Sequence, residues 1–532
     1  VTMLVEDIAE SDFLPLSAIL RAHAARRGAA VALADENRRV GWAELDALLD
    51  RVAVALHGEG VAADEPVAIA ALNAVPTALA FLGAIRAGAV AAPLTSTATP
   101  ETVLAMLADS GSRVLLLDAE MAGRLAGLPF PAHVKRIALD DSDAGLPFSQ
   151  WLAPEGARPP EPAPQPGDPF NIIYSSGTTG SPKGIVQSHK MRHEYARRTI
   201  RGGYDDDTCV ICSTPLYSNT TLVSFLPALT AGGKVVLMKK FDARGFLELS
   251  QRERVTHAML VPVQYRRIME QPDFDSFDLS SYRLKSCTSA PFAAWLKADV
   301  LKRWPGGLVE GYGMTEGGAT TLLVAHEHPD KLHTVGRVTP GHVMKIIDED
   351  GNELPEGAMG EIVGHSPLMM NGYHGKPDKT REVEWYDAEG RRYIRHGDIG
   401  RFDEDGFLIL MDRAKDMIIS GGFNIYPTDL EAELVRQSAV REAAVVGVPS
   451  DKWGETPLAV VVLADPAADP PADPQAILAE ANARLGKTQR ISAIEVVDEL
   501  PRSPIGKVLK RELRDRFGGN PILAASTGQD NR

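Results

Sequence analysis

The chain has 532 residues, of which 44% are hydrophobic and 24% charged, the balance of a soluble globular protein and too long for one ordinary core, so at least two domains are expected. With 71 acidic against 56 basic residues the formal charge is −15, which excludes a general nucleic-acid binder, because the phosphate backbone rewards a basic face. Three cysteines cannot make a disulfide framework, and no basic start followed by an apolar run opens the sequence, so a reducing, cytoplasmic setting is expected.

Residues 42–57, WAELDALLDRVAVALH, place Leu45, Leu48, Leu49, Val52 and Leu56 on one helical stripe that stops at Gly58. The runs PVAIAAL, AVAAPL and RVLLLD follow, separated by alanine-rich stretches. That alternation predicts βαβ units and a largely parallel sheet covered on both faces. Val67 to Ile85 carries no charge and is about as long as a membrane span. Asn73 and Pro76 break it into strand, turn and buried helix, and Pro215, Asn219 and Pro227 break the uncharged run 208–233 in the same way; no transmembrane helix is expected.

The proline-rich stretch 159–169 is a stiff connector leading into NIIYSSGTTGSPKGIVQSHK, residues 171–190. There Ser175, Ser176, Thr178, Thr179 and Ser181 stand among Gly177, Gly180 and Gly184, around Lys183. Hydroxyls and exposed backbone N–H groups suit a polyanion, and glycine lets the backbone come close to it, so a triphosphate is the expected ligand. An ordinary P-loop is excluded by register, since Pro182 stands where its second glycine belongs. His189 and His193 have the spacing of a zinc pair, but Lys190 replaces the zinc-protease glutamate and no third ligand is evident, so both read as surface histidines. Cys209 and Cys212, a C-x-x-C pair, read as part of a buried strand.

Strand patterns recur at 234–239, 256–264 and 308–312. From residue 335 short strands alternate with turns such as DEDGNELPEG and DEDGF, which suits an antiparallel subdomain. After Arg413 the runs AAVVGVP, PLAVVVLAD, PQAILAEANARL and AIEVVDEL and a last basic helix make a small α+β domain. The polar tail beyond Phe517 is expected to fray. The expected domains are therefore 1–413 and 414–532.

YSSGTTGSPKG, residues 174–184, resembles the signature of the adenylate-forming superfamily, which holds acyl- and aryl-CoA synthetases, luciferases and carrier-protein adenylation domains. EGYGMTEGG (310–318), HGDIGRFDEDGFL (396–408), DRAKDMIISGGFNIYPTDLE (412–431) and PRSPIGKVLKREL (501–513) resemble its further motifs, in order. The resemblance implies an α/β fold: a large N-terminal domain of α/β layers with an antiparallel β subdomain, and a small, mobile α+β C-terminal domain. It also implies an AMP-forming acid:CoA ligase that uses ATP, Mg²⁺ and coenzyme A. The carboxylate attacks the α-phosphorus of ATP, pyrophosphate leaves, and the resulting anhydride yields to the CoA thiol.

By this resemblance Ser175, Ser176, Gly177, Thr178, Thr179 and Lys183 would cradle the β- and γ-phosphates, Thr315 would donate to the α-phosphate, and Glu316 would hold Mg²⁺. Tyr312 would stack on adenine, with Gly311 and the backbone of Ser289, Ala290 and Pro291 lining the purine. Asp398 and Arg413 would hold the ribose. Lys507 would be the catalytic cation of the first step, Lys415 the hinge, and Gly421 and Gly422 the walls of a pantetheine tunnel. The sequence departs from the family at His396, before Gly-Asp, and at Ser218, where a histidine is usual.

Tyr217, Ser218, Asn219, Thr220, Thr221, Cys287, Thr288 and Gly313 would line the acyl pocket. Their polarity favours a substituted acid over a long alkyl chain, with a phenylpropanoid-type or other aryl acid first and a medium-chain fatty acid second. No arginine beside EGYGMTE offers to hold a second carboxylate. The expected partners are a small carboxylic acid and CoA, with no nucleic acid and no integral membrane association, and the oligomeric state stays open between monomer and homodimer. Two other classes are kept: an acyl-AMP ligase serving a separate carrier protein, and a nucleotide-binding protein without turnover.

Overall fold

The computed structural model describes residues 5–175, 182–413, 416–420, 423–425, 427–450, 453–468, 472–485, 490–502 and 508–518. The chain divides into two units, Val1–Met344 with Gly364–Ile394, and Lys345–Val363 with Arg395–Arg532.

In the first unit the expected βαβ alternation builds two sheets. The elements that position the site are β1 (Pro169–Ser175), β2 (Lys183–Ser188), α1 (His189–Arg201), α2 (Asn219–Thr230), β3 (Leu284–Cys287), β4 (Gly307–Met314) and β5 (Gly317–Val324). An eight-stranded sheet runs in the order Gly372–Tyr373, β2, β1, Val90–Pro93, Pro66–Ala70, Val114–Leu117, Lys135–Ala138, Leu146–Pro147. It is parallel from β1 onward, while β2 pairs antiparallel with both β1 and Gly372–Tyr373. A nine-stranded sheet runs in the order Arg337–Val338, β5, β4, β3, His257–Leu260, Cys209–Cys212, Lys234–Leu237, Val31–Ala34, Arg39–Gly41, parallel from β4 to Val31–Ala34 and antiparallel at both edges.

One continuous core joins the sheets: Leu33, Val210 and Val235 of one and Val67, Leu116 and Phe170 of the other meet the helices Trp42–Gly58, Val75–Arg86 and α2. Phe81 sits between Phe170 and Phe225, with ring centroids 6.2 and 6.4 Å away. The stretch 67–85 is strand, turn and buried helix, as its Asn and Pro foretold, and no described helix is long and apolar enough to cross a membrane. The strand pattern of 256–264 is cut short at Leu260, because Pro262 opens the helix Pro262–Met269 from its first turn, where a missing N–H costs nothing.

In the second unit the long antiparallel pair Val440–Ser450 and Gly454–Leu463 is flanked by Ala493–Val496 and three helices. Period-two alternation sends Val445 and Val461 to one core with Leu430 and Ile477, and Val446 and Val460 to another with Leu513 and Phe517. DEDGF is the hairpin turn between Arg392–Phe402 and Leu408–Arg413, with Asp403 Oδ1 accepting from the backbone of Asp405 and Phe407 at 3.0 and 2.8 Å. Packing thus groups 345–363 and 395–413 with the C-terminal segment, a different division from the expected border at 413.

Candidate adenylation site

The hydroxyl-rich loop is closed at its base by β1 and β2, where Ser175 pairs with Lys183. Its two ends are tied to one acid. The Tyr174 hydroxyl donates to Asp109 Oδ2 at 3.1 Å, and Lys376 Nζ donates to Asp109 Oδ1 at 2.6 Å and to the Pro182 carbonyl. Ser176, Gly177, Thr178 and Thr179 lie outside the described residues.

Glu316 follows β4 at a sharp reversal into β5. Gly317 makes that reversal with φ +86°, and a Cβ there would overlap the Leu368 carbonyl oxygen, so no other residue fits without moving the backbone. The segment 370–374 runs along β2 and returns to the same place: Met370 N–H donates to the Glu316 carbonyl at 2.8 Å and His374 N–H to the Gly184 carbonyl at 2.7 Å. Tyr373, carried by this segment, donates its hydroxyl to Glu316 Oε1 at 2.9 Å. The Lys183 ammonium stands 5.4 Å from the centroid of the same ring, within cation–π range. One tyrosine therefore carries an anion at its tip and a cation on its face. Burial and the Glu316 charge push its own ionisation well up.

Gly311, Tyr312 and Gly313 lie in β4 beside β5, and a Cβ on Gly313 would come within 2.7 Å of Thr320 Cγ2. The preceding Glu310 is buried against Lys297, whose ammonium also donates to the carbonyls of Leu332 and Thr334 at 2.7 and 3.1 Å. This anchors β4 to the helix Ala294–Arg303. Burial raises the Glu310 carboxyl to about 7, with Lys297 pulling the other way. Ser289, which opens the Ser-Ala-Pro stretch, holds a φ of +80°. Such a conformation costs a non-glycine residue about 1–3 kcal/mol, and its Oγ is fixed 2.7 Å from Thr220 Oγ1.

The expected acyl-wall hydroxyls orient one another. The Tyr217 hydroxyl lies 2.8 Å from Thr97 Oγ1, Thr221 Oγ1 donates to the Pro215 carbonyl at 2.6 Å, and Ser218 Oγ caps α2 by accepting from Thr220 N–H at 3.3 Å. Ser218 thus has a structural task, the N-cap. Cys287 is fully buried at the end of β3, and Thr288 N–H reaches the Leu260 carbonyl at 3.4 Å.

Beneath this wall lies a polar network. Arg192 of α1 is 5% exposed; its Nε donates to Asn171 Oδ1 at 2.8 Å, its NH1 to Asn219 Oδ1 at 3.0 Å, and its NH2 to Gln187 Oε1. Asn171 Nδ2 donates to Gln187 Oε1 at 3.1 Å, across the β1–β2 register that sets the two opposite each other. Gln187 Nε2 then donates to the Thr315 carbonyl at 2.8 Å.

In the second unit Asp398 and Arg413 are register partners on adjacent strands. His396 is buried, which lowers its pKa to about 4. Lys415, Gly421, Gly422 and Lys507 lie outside the described residues.

The two histidines read as surface residues are instead buried: His189 packs edge-on against Phe170 with centroids 5.0 Å apart, and His193 Nε2 lies 3.1 Å from Ser11 Oγ. Both lie on the core face of α1, and the described residues hold no cluster of three metal-ligating side chains. Cys209 and Cys212 are buried strand residues as expected. Tyr373, Asp109, Lys376 and Arg192 escaped the sequence reading. NGYHGK carries no pattern of its own, and only its register against β2 brings Tyr373 to Glu316.

The AMP-binding enzyme family matches residues 20–374, and the AMP-binding enzyme C-terminal domain matches residues 429–507. Feruloyl-CoA synthase of Amycolatopsis sp. is 34% identical over 482 residues, 90% of this chain and 94% of that protein. 4-Coumarate–CoA ligase 2 of Nicotiana tabacum is 32% identical over 489 residues, 90% of this chain and 89% of that protein. ATP-bound MatB from Rhodopseudomonas palustris superposes with a TM-score of 0.84 at 28% identity, covering 95% of this chain and 99% of that one. On these matches and on the motifs that build the site, the chain belongs to the AMP-binding enzymes of the adenylate-forming superfamily.

Proposed function

We propose that this chain is an AMP-forming carboxylic acid:CoA ligase. The observation that carries the reading is the pairing on Tyr373: the Glu316 carboxylate at its hydroxyl and the Lys183 ammonium on its ring, at the mouth of the phosphate loop. A carboxylate beside a polyphosphate repels it unless a cation stands between them. Glu316 Oε1 is occupied by Tyr373, Oε2 is engaged by no other described residue, and the described residues hold no group of three metal-ligating side chains there. That fits Mg²⁺, which takes one or two carboxylates and completes its octahedron with phosphate and water oxygens. Bound there, the ion supplies charge neutralisation at the phosphates.

The chain's own groups do the rest. Lys183 faces the terminal phosphates, the Thr315 hydroxyl donates toward the α-phosphate, and Asp398 accepts from the ribose hydroxyls. Lys507 bridges the attacking carboxylate and the phosphate during adenylation, and the segment beyond 413 swings about Lys415 to admit the thiol. Three buried free thiols suit a reducing, cytoplasmic setting.

The test is AMP and pyrophosphate release from ATP and acid, measured with CoA, with holo-carrier protein and with neither. AMP with thioester formation on CoA is expected, and ADP as the nucleotide product would end the reading. Among acids, the hydroxyls of Tyr217, Ser218, Thr220 and Thr221 support a hydroxylated aryl acid over a medium-chain fatty acid, whereas the relatives include aryl-acid and fatty-acid ligases alike. Lys507→Ala is expected to abolish acid-dependent pyrophosphate release while sparing thioester formation from supplied acyl-AMP. Equal loss of both steps would contradict its role.

A further inference from the structure

A guanidinium taken out of water is costly unless an anion accompanies it. Arg192 is buried at 5% exposure, and the groups that accept its hydrogen bonds are neutral amide oxygens, on Asn171, Gln187 and Asn219. Burial draws its pKa down to about 10, and the one group that pulls the other way, Tyr195, is a buried phenol whose own ionisation burial pushes up, so it carries no charge to pair with. The nearest acid on its own helix, Glu194, is committed to Arg197 at 2.8 Å. Among the described residues, then, this fixed positive charge has no counter-ion.

Its neighbours point in one direction. Asn219, one hydrogen bond away, opens α2 in the expected acyl wall, so the positive end of that helix adds to the same field. Gln187, also one bond away, grips the carbonyl of Thr315, the residue expected at the α-phosphate. The charge therefore lies under the place where an acid would meet the nucleotide. At that place two anions, carboxylate and triphosphate, must be brought together.

We propose that Arg192 is a positioning residue whose missing counter-ion is the reacting carboxylate of the acid substrate, held through the amide of Asn219 while Gln187 fixes the Thr315 carbonyl beside it. The inference rests on the ligase reading and extends it: a cation built into the large domain attracts the acid before adenylation. Once the carboxylate has become an anhydride its charge is gone, and the attraction to the acyl group goes with it.

The kinetics of three variants test this. Arg192→Gln keeps amide donors but removes the charge, Arg192→Lys keeps the charge, and Asn219→Asp supplies a built-in counter-ion. In pyrophosphate release, Arg192→Gln is expected to raise KM for the acid about 10-fold with KM for ATP within about twofold, and Arg192→Lys to restore most of the loss. Asn219→Asp is expected to raise KM for the acid without lowering Tm, since it pairs the buried charge; it decides the matter if Arg192→Gln does not fold. With synthetic acyl-adenylate and CoA, Arg192→Gln should show the wild-type KM.

An unchanged KM for the acid, an equal rise for ATP, or an equal rise for the supplied adenylate would overturn the assignment. The last of these would mean that the charge holds another group of the acid. Wild-type protein that makes no AMP from any acid would sink the ligase reading and this inference together. Wild-type turnover with an unmoved KM in the variants would sink this inference alone.

Discussion

At Tyr373 one hydroxyl orients a carboxylate while the ring beneath it steadies a lysine. Tyr373→Phe separates the two tasks, because the ring stays and the hydrogen bond goes. A bond to a charged acceptor is worth about 1.5–3 kcal/mol, so adenylation is expected to fall about 10-fold or more, with a higher Mg²⁺ requirement in a titration of pyrophosphate release. An unchanged Mg²⁺ dependence would show that Glu316 needs no such support. Burial raises Cys209 to about 11 and Cys212 to about 12, and pushes Cys287 well above its ordinary value. Native protein at about pH 7.5 is therefore expected to resist iodoacetamide until urea is added, whereas rapid labelling would contradict the buried-strand reading of the C-x-x-C pair. Residues inside a recognisable motif, such as Lys183 and Glu316, were legible in the sequence. Tyr373 and Arg192 were not, because what gives them meaning is a neighbour far away along the chain.

Strand and helix alternation was legible because β-branched runs and alanine-rich stretches have different periods, and the buried helix after Asn73 followed from the same logic. What periodicity could not show was the facing of α1, where His189, Arg192 and His193 are all buried on a helix whose composition reads as polar. A charged residue looks like surface until its acceptors are known, and those acceptors come from three other elements. The β4–β5 reversal offers a direct test at this scale. Gly317→Ala adds a methyl against backbone at a positive φ and is expected to cost at least about 2 kcal/mol, read as a lower urea midpoint. A midpoint within error of wild type would mean that the turn can relax and that the glycine is not what fixes Glu316.

Across the whole chain, buried neutral histidines set the response to acid. His189 and His257 in the first unit and His396 in the second are lowered from 6.5 to about 4, chiefly by burial. Between those values the unfolded chain binds protons that the folded chain refuses. Stability is therefore fully present above about pH 6.5 and falls as pH drops toward about 4, by about 1.4 kcal/mol per pH unit for each histidine. Denaturation midpoints at about pH 7, 6 and 5 should decline steadily, while a flat profile would place these rings in contact with water. Two units were expected from length and from the separate balance of strands and helices after Arg413. The grouping of 345–363 and 395–413 with the C-terminal segment was not, since composition does not reveal which strands share a sheet.

The clasp of Tyr174, Asp109, Lys376 and Pro182 carries a consequence for biosynthesis. Lys376 and Asp109 are 267 positions apart, so the base of the nucleotide loop cannot be fastened until the ribosome has released most of the large unit. Closing so long a contour is slow and comes late in folding. A nascent polypeptide arrested before residue 376 is thus expected to bury its sheets yet bind no ATP, which delays nucleotide capture until the first unit is nearly complete.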